Sequence, residues 1–236
     1  MIISGIRKLT LLDYPGRTAC TIFTGGCNFR CPFCHNSPLV VHLSQEENLD
    51  TAEIMGFLSK RAGLLDGVCI TGGEPLLQSG LEDFVREVKK LGYSVKLDTN
   101  GCFPDELSSL LEKGLIDYVA MDIKSDEAGY PRACGIGEEA ARAVMPKIKK
   151  SIATIIALAP DYEFRTTLVG GIHDAGSVAG ACELIKGAKK YFLQSYVDSG
   201  AVISPEGLYS FSKQELLGLL AVAKSVLPSA ELRGVD

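Results

Sequence analysis

Three cysteines lie close together in one short polar stretch, residues 27–36, whose sequence is CNFRCPFCHN. Cys27, Cys31 and Cys34 follow a C-x3-C-x2-C spacing, which differs from the paired C-x2-C blocks of structural zinc sites. Cysteine thiolates are the usual ligands of iron–sulfur clusters, and a [4Fe–4S] cluster takes one ligand on each of its four irons. Three local cysteines leave one iron for a ligand that is not protein. The stretch therefore predicts a cluster with an open iron.

Other chemistries fit the same stretch less well. A Cys3His zinc site would use His35, but adjacent residues such as Cys34 and His35 seldom both reach one ion. Residues 31–35 also match the C-x-x-C-H motif of c-type haem attachment, which leaves Cys27 without a role and requires export. A disulfide within the stretch would leave one thiol unpaired. An iron–sulfur cluster is the favoured interpretation.

The composition and charge of the chain limit its function class. Of its 236 residues, 46% are hydrophobic and 22% are charged, as in globular proteins with a full core, and we expect a single domain over residues 1–236. The net charge of −5 and the lack of a long basic run argue against nucleic-acid binding. No apolar stretch is long enough to span a bilayer, and the start lacks a secretory signal. We therefore expect a cytoplasmic protein with free thiols and no membrane partner.

Strands and helices alternate along the chain, and these elements must position the cysteines. Apolar, β-branched runs predict six strands, at residues 18–24, 67–71, 93–97, 117–121, 163–169 and 191–193. Helical spacing of apolar residues predicts helices at residues 51–62, 81–91, 107–111, 144–156 and 178–188, and a last one from a Ser212 and Glu215 capping box to Leu227. Pro146 marks either a kink or the true start of its helix. The alternation predicts a parallel α/β sheet, either open and doubly wound or barrel-like.

Polar groups collect where these predicted strands end. In both architectures, the carboxyl ends of parallel strands form the functional edge of the sheet. We therefore expect six polar patches to face one another across that edge. The patches are the cysteine stretch, residues 72–74, residues 98–100, Asp122 with Lys124, Arg165, and Gln194 with Ser195.

Two motifs, in this order, resemble the radical S-adenosylmethionine superfamily: C-x3-C-x2-C after the first strand, and TGGEP at residues 71–75 after the second. Further segments resemble the activases of glycyl radical enzymes and extend over most of the chain; they are residues 13–17 (DYPGR), 26–36, 97–101 (LDTNG) and 121–124 (MDIK). The chain looks most similar to the branch that holds the activating protein of anaerobic ribonucleoside-triphosphate reductase and pyruvate formate-lyase activating enzyme. This resemblance implies a partial (β/α)6 TIM-type barrel with parallel strands, in agreement with the six predicted units.

The resemblance also implies a ligand for the open iron. Cys27, Cys31 and Cys34 would hold three irons of a [4Fe–4S] cluster, while the amino and carboxylate groups of S-adenosylmethionine (SAM) chelate the fourth. One electron then cleaves the sulfonium and gives a 5′-deoxyadenosyl radical, which an activase directs at a glycine Cα–H of its partner. The implied partners are a glycyl radical enzyme and a flavodoxin- or ferredoxin-type electron donor.

Two groups of SAM contacts are implied at matching positions. Gly72, Gly73 and Glu74 match the motif that receives the SAM ammonium, because glycines allow close backbone approach and a carboxylate complements a cation. A plain turn between strand and helix is the other interpretation of these three residues. The backbone of Phe33 would meet the adenine edge, and Asn36 resembles a cofactor contact.

Charged residues at later strand ends have implied roles as well. Asp98, Thr99 and Asp122 match cofactor-side positions that bind a monovalent cation beside the SAM carboxylate, although strand-end aspartates also cap helices. Lys124 and Arg165 would face the SAM carboxylate or the substrate backbone. Surface solvation is the other interpretation of Lys124.

The sequence departs from relatives in ways that leave the substrate open. No cysteine-rich insertion lies between Cys34 and Cys69, so we expect one cluster and scattered buried thiols elsewhere. The histidine that the pyruvate formate-lyase branch places after its last strand is replaced within residues 194–196, and His42 and His173 have no companion groups. A rival function is a radical enzyme on a small molecule, such as 7-carboxy-7-deazaguanine synthase, which predicts a closed pocket. A metal-binding module without catalysis is a third class.

Overall fold

The computed structural model describes residues 1–41, 48–198, 200 and 202–234. The strands are β1 Ile3–Thr10, β2 Ala19–Thr24, β3 Gly67–Gly72, β4 Ser94–Thr99, β5 Tyr118–Asp122, β6 Tyr162–Leu168, β7 Tyr191–Ser195 and β8 Ala230–Arg233. The helices are α1 Ser37–Val41, α2 Thr51–Arg61, α3 Leu81–Lys90, α4 Pro104–Glu112, α5 Tyr130–Cys134, α6 Glu138–Leu158, α7 Ala175–Leu184 and α8 Lys213–Val226. Strands and helices alternate from β2 to β8, as the sequence predicts.

All eight strands form one sheet in the order of the chain, from β1 to β8. Strands β2 to β8 run parallel, and β1 pairs antiparallel with β2. Among the described residues no pairing joins β8 to β1, so the barrel stays incomplete. The α/β class and the partial TIM-type barrel are thereby confirmed.

The two edge strands were not predicted, and their sequences explain why. Strand β1 is mostly exposed or half-buried and carries Arg7 and Lys8, so it lacks the apolar run that marks a central strand. Strand β8 has four residues, which is too short for an alternating pattern to show. Both strands therefore depend on pairing with a neighbour rather than on their own pattern.

The central strands are covered on both faces. In β3, Val68, Cys69 and Ile70 are fully buried, as in a parallel sheet with helices outside and side chains filling its interior. Helix α3 buries Leu81 and its partners at helical spacing against this sheet, on one stripe. This packing fixes the ends of β3 and β4, from which the site loops leave.

Two helices differ from prediction. Helix α6 begins at Glu138 and continues through Pro146, so the proline marks neither of its ends. An internal proline removes one helix hydrogen bond, but the buried stripe on both sides of it, including Met145 and Ile148, holds the helix together. Helix α7 ends at Leu184 rather than near residue 188. The capping box of Ser212 and Glu215 at the start of α8 is confirmed.

No helix among the described residues combines the length and apolarity that crossing a membrane requires. Cytoplasmic location remains a prediction. His42 lies outside the described residues, whereas His173 is buried and is taken up below.

Candidate active site

A cavity of about 200 Å³ opens at the carboxyl ends of β2 to β6. Every residue predicted for the site lines it, with the exception of Glu74. These lining residues are Cys27, Cys31, Phe33, Cys34, Asn36, Gly72, Gly73, Asp98, Thr99, Asp122, Lys124 and Arg165. The structure thus brings five of the six predicted polar patches to one place.

Backbone hydrogen bonds hold the cysteine loop, residues 27–36, in position. The Arg30 N–H donates to the Cys134 carbonyl at 2.9 Å, and the Cys34 N–H donates to the Cys31 carbonyl at 3.0 Å. The Arg30 guanidinium donates to the Cys27 carbonyl at 2.7 Å. These bonds fix the backbone of the loop that carries the three thiols.

The three thiols differ in acidity. A hydrogen bond with the Cys134 thiol lowers the pKa of Cys31 to about 7, against the effect of burial. Burial raises the pKa of Cys27 to about 11 and also raises that of Cys34. Since the thiolate is the form that binds a metal, a ligand role requires Cys27 and Cys34 to lose the protons that burial favours.

The loop fits a cluster better than a single ion. Within the part of the chain that the structure describes, no three His, Cys, Asp or Glu side chains are grouped to hold one metal ion. The ring of His35 lies 5.8 Å from that of Tyr196, and the geometry gives no support to a Cys3His zinc site. Three free thiols around one cavity suit a larger, sulfur-bridged group.

Gly72 and Gly73 are required by the backbone that passes beside them. A Cβ on Gly72, whose φ is +116°, would lie 2.4 Å from the Thr24 backbone. A Cβ on Gly73 would lie 1.9 Å from the Gly26 carbonyl oxygen, and this oxygen accepts a 2.8 Å bond from the Glu74 N–H. The glycine loop and the cysteine loop are therefore in direct backbone contact.

The Glu74 side chain is fully buried and does not line the cavity. Its carboxylate accepts bonds from the Leu76 N–H, the Thr99 hydroxyl and the Asn100 N–H at 3.1, 2.8 and 2.7 Å. Burial raises its pKa to about 7 in spite of these donors. In this arrangement Glu74 joins the loop after β3 to the loop after β4. The resemblance implied a different role, as the carboxylate that receives the SAM ammonium.

Charged side chains in and just after β4 to β6 form a network on the side of the cavity that faces the cysteine loop. Arg165 donates to Asp122 at 2.9 Å and to Asp98 at 3.3 Å. Lys124 donates to Asp122 at 3.1 Å, and Lys96 pairs with Asp98. Lys124 is thus a half-buried residue of the cavity wall with a fixed charge partner, which excludes plain surface solvation.

Electrostatics keep this network ionised. Burial alone would raise the pKa of Asp122, but the Arg165 guanidinium and the Lys124 ammonium outweigh it and hold that pKa at about 2. The same balance, with Arg165 and Lys96 as the cations, lowers the pKa of Asp98. The cavity therefore presents paired, fixed charges at neutral pH.

The structure adds lining residues that the sequence analysis did not assign, namely Phe29, His35, Val40, Thr71, Asn100 and Thr167. The Asn100 amide donates to Asn28 in the cysteine loop at 2.8 Å. The sequence predicted Asn100 only as a member of the polar patch at residues 98–100, without a role of its own. Its contact with the cysteine loop is non-local, and sequence spacing cannot reveal it.

His173 has a structural role. Its Nδ1 accepts from the Val169 N–H at 3.0 Å, so Nε2 carries the proton and donates to the Lys124 carbonyl at 2.8 Å. Burial lowers the pKa of His173, which favours this neutral form. The histidine thus joins the loops that follow β5 and β6 behind Lys124.

A second cavity of about 470 Å³ lies inside the partial barrel and shares Thr71, Asp98 and Arg165 with the first. Asp13 and Pro15, from the loop between β1 and β2, line it together with Gln194 from β7. The predicted sixth patch is therefore divided, because Gln194 faces this cavity and Ser195 lines neither of the two.

The other five cysteines are scattered through the core as expected. All are buried and unpaired; they are Cys20, Cys69, Cys102, Cys134 and Cys182. Cys134 differs from the prediction in lying against the cysteine loop.

Comparison with known proteins gives the family. The model of the Radical SAM superfamily matches residues 21–163. A Methanocaldococcus jannaschii protein provisionally named a glycyl-radical enzyme activating enzyme is 30% identical over 100% of this chain and 97% of its own length. The pyruvate formate-lyase-activating enzyme of Clostridium pasteurianum is 33% identical over 58% of each chain.

Two further similarities extend this result. The 7-carboxy-7-deazaguanine synthase of Halobacterium salinarum is 29% identical over 81% of this chain and 71% of its own length. The structure of a radical SAM methyltransferase from Sphaerobacter thermophilus superposes with a TM-score of 0.71 at 14% identity, covering 95% of this chain and 68% of that one, and it supports the fold. The chain therefore belongs to the radical SAM superfamily, as an enzyme that resembles pyruvate formate-lyase activating enzyme.

Proposed function

We propose that this protein is an activase that removes a hydrogen atom from a glycine of a glycyl radical enzyme, with an anaerobic ribonucleoside-triphosphate reductase as the partner. The observation that carries the proposal is the second cavity. Asp13 and Pro15 line it, and both belong to the DYPGR segment that resembles the activases. The cavity shares a wall with the cysteine site, so a partner loop entering it would reach the cofactor directly.

The residues of this chain divide the work between binding and positioning. Cys27, Cys31 and Cys34 would hold three irons, and the loop bonds described above would keep these three ligands in place. A [4Fe–4S] cluster with SAM supplies, by one-electron cleavage of the sulfonium, a 5′-deoxyadenosyl radical able to abstract hydrogen.

The opposite wall would orient SAM. Lys124 and Arg165 present positive charge to a carboxylate, and Gly72 and Gly73 keep the backbone of β3 close to it. The backbone of Phe33 and the side chain of Asn36 line the remaining side. The Asn36 amide donates to the Gly72 carbonyl at 2.8 Å, which ties the two cofactor-facing loops together. A flavodoxin- or ferredoxin-type protein would supply the electron.

A small-molecule radical enzyme is the second candidate. The similarity to 7-carboxy-7-deazaguanine synthase over 81% of this chain favours it. The second cavity is larger than the first, yet Arg7 of β1 and Arg233 of β8 both line it, so it lies between the two unpaired edges of the barrel, where a partner segment would enter. The longer and stronger match to an activating enzyme favours the first candidate.

The first test concerns the cluster. Anaerobic reconstitution should give about four irons per chain with the absorption of a [4Fe–4S] cluster. Cys31→Ser should lose most of that iron, whereas Cys182→Ala, which changes a buried thiol in α7, should retain it. Bound zinc with no iron spectrum would contradict the proposal.

The second test concerns the substrate. The reconstituted protein is mixed anaerobically with dithionite, SAM and a purified anaerobic ribonucleoside-triphosphate reductase, and electron paramagnetic resonance should show a glycyl radical doublet on the reductase. The doublet should be absent when the reductase glycine is replaced by alanine. Turnover of a small heterocycle, with no doublet on any glycyl radical enzyme tested, would establish the second candidate instead.

A further inference from the structure

The residues implied to bind a monovalent cation are Asp98, Thr99 and Asp122, and their contacts can be tested for that role. Each of the four carboxylate oxygens of the two aspartates accepts a bond from a cationic protein group. Asp98 accepts from Lys96 and from Arg165, and Asp122 accepts from Arg165 and from Lys124. Each carboxylate is therefore already neutralised by two protein cations, which removes the negative charge that would attract a metal ion.

Thr99 is committed as well. Its hydroxyl donates to the Glu74 carboxylate at 2.8 Å and accepts from the Gly101 N–H at 3.0 Å. One lone pair of the hydroxyl oxygen remains, but its direction is fixed by these two buried bonds, so the side chain is not free to turn toward an ion. The side chains present therefore do not fit a monovalent metal ion at this position.

Lys96 supplies a positive charge next to Asp98, one of the residues implied to bind the ion. It lies two residues before Asp98 in β4, so both side chains project from the same face of the strand into the barrel. Lys96 is 2% exposed, and its ammonium also lies 3.8 Å from the Cys69 sulfur and 6.0 Å from the centre of the Tyr118 ring. A lysine this deeply buried needs a fixed charge partner, and Asp98 provides it.

The charge of the whole network argues in the same direction. Glu163 continues the network, because it lies 4.0 Å from Arg165 and accepts two bonds from Arg233 at 2.9 and 2.8 Å. The cations Lys96, Lys124, Arg165 and Arg233 number four, and the carboxylates Asp98, Asp122 and Glu163 number three. One positive charge remains, which suits an anionic carboxylate and opposes a second cation in a poorly solvated interior.

We infer that this enzyme takes no monovalent metal ion at Asp98, Thr99 and Asp122, and that the buried Lys96 ammonium supplies the positive charge at this place. Lys96 acts as a positioning residue: it holds Asp98, and through Asp98 it fixes Arg165 at the cofactor cavity. The inference requires SAM as the ligand but does not depend on which partner receives the radical.

The wild-type protein gives the first measurement. The affinity of the reconstituted protein for SAM is determined by anaerobic calorimetry in potassium, sodium and choline chloride at equal ionic strength. The dissociation constants should agree within about twofold, a small change on the scale of one charged hydrogen bond. Binding that is more than about tenfold weaker in choline than in potassium or sodium would overturn the inference.

Substitution of Lys96 gives the second measurement. Lys96→Met keeps an apolar stem of similar length, so SAM should bind about tenfold more weakly in choline, with recovery in potassium or sodium. The sodium-23 NMR resonance should broaden when Lys96→Met is added, because the ion then binds, and should keep its line width with the wild type. Lys96→Arg should behave as the wild type, and so should Lys113→Met, which removes a surface lysine paired with Glu82.

Two outcomes of the variants would contradict the role of Lys96. One is wild-type SAM affinity of Lys96→Met in choline, and the other is weak binding that no monovalent ion restores. If Lys96→Met fails to fold, the salt comparison on the wild type decides whether a metal ion is needed, and Lys96→Arg decides whether a charge at this position is sufficient.

Discussion

The two walls of the cofactor cavity are built in different ways. The wall formed by the cysteine loop and the glycine loop is held by backbone hydrogen bonds and by backbone contact at Gly73. The wall formed by β4 to β6 is held by ion pairs among side chains, with Arg165 at their centre. Backbone contacts fix the positions of the three cysteines, whereas the charged side chains determine which charges the cavity presents to a ligand. Substitutions on the two walls should therefore fail in different ways.

The largest effect is expected on the charged wall. Arg165→Met removes the guanidinium shared by Asp98 and Asp122 and leaves two partly buried carboxylates short of a counter-ion. Breaking this partly buried network should lower the free energy of unfolding by more than the ~1 kcal/mol of an exposed pair, and by at most the about 3–5 kcal/mol of a fully buried one. Urea denaturation of the reconstituted protein measures it.

The matched control for Arg165→Met is Lys113→Met, which breaks an exposed pair with Glu82. That change should stay within about 1 kcal/mol. A loss below about 1 kcal/mol for Arg165→Met would show that the charged wall contributes little to stability and would remove the distinction between the walls.

A smaller effect is expected on the backbone wall. Gly73→Ala places a methyl group against the Gly26 carbonyl, so one loop must shift at an energetic cost of about 1–3 kcal/mol. Because Gly26 precedes Cys27, iron content after reconstitution should fall together with stability. Thermal unfolding and iron analysis measure the two quantities.

Gly56→Ala provides the control for the same chemical change. Gly56 lies in α2 with open space around the added methyl group, and alanine favours helices. This variant should be more stable than the wild type by about 0.5–1 kcal/mol and should bind iron normally. Equal iron content in Gly73→Ala and Gly56→Ala would show that the glycine loop does not position the cysteines.

The smallest effect is expected at His173, which joins two loops behind the charged wall. Its pKa is lowered in the folded protein, so the unfolded chain binds the proton more readily, and stability should fall as the pH drops below about 6.5. His173→Gln should be about 1 kcal/mol less stable than the wild type at pH 8, because glutamine reproduces the two hydrogen bonds imperfectly. Denaturant unfolding from pH 8 to pH 5 should show this difference shrinking. A difference that grows toward pH 5 would refute the neutral assignment of His173.

Much of the site was predictable because its residues follow strands in sequence. From the cysteine spacing and the polar ends of β3 to β6, twelve residues were predicted to lie at one edge of the sheet, and all twelve line one cavity. Parallel strands bring their carboxyl ends together whatever their sequence separation, and this rule needs no knowledge of side-chain contacts.

The side-chain directions at two positions were not predictable in the same way. Glu74 follows two glycines, and the spacing alone does not tell that its carboxylate turns behind the loop to Thr99 and Asn100. Lys96 lies within the strand sequence SVKLDT, where a lysine between apolar residues is unusual and could have indicated a buried charge. Its partner Asp98 then follows from the two-residue period of a strand.

One contact described above bears on the assembly of the enzyme. The Arg30 N–H bonds to the Cys134 carbonyl, so the cysteine loop is completed by a helix that lies 104 residues further along the chain. Contacts between distant residues form late in folding, because closing a long loop costs entropy before the contact repays it. Until β5 and α5 are in place, the three thiols belong to an unsupported loop. We therefore expect cluster insertion to follow folding of the barrel, since iron supplied earlier would meet ligands that are not yet arranged.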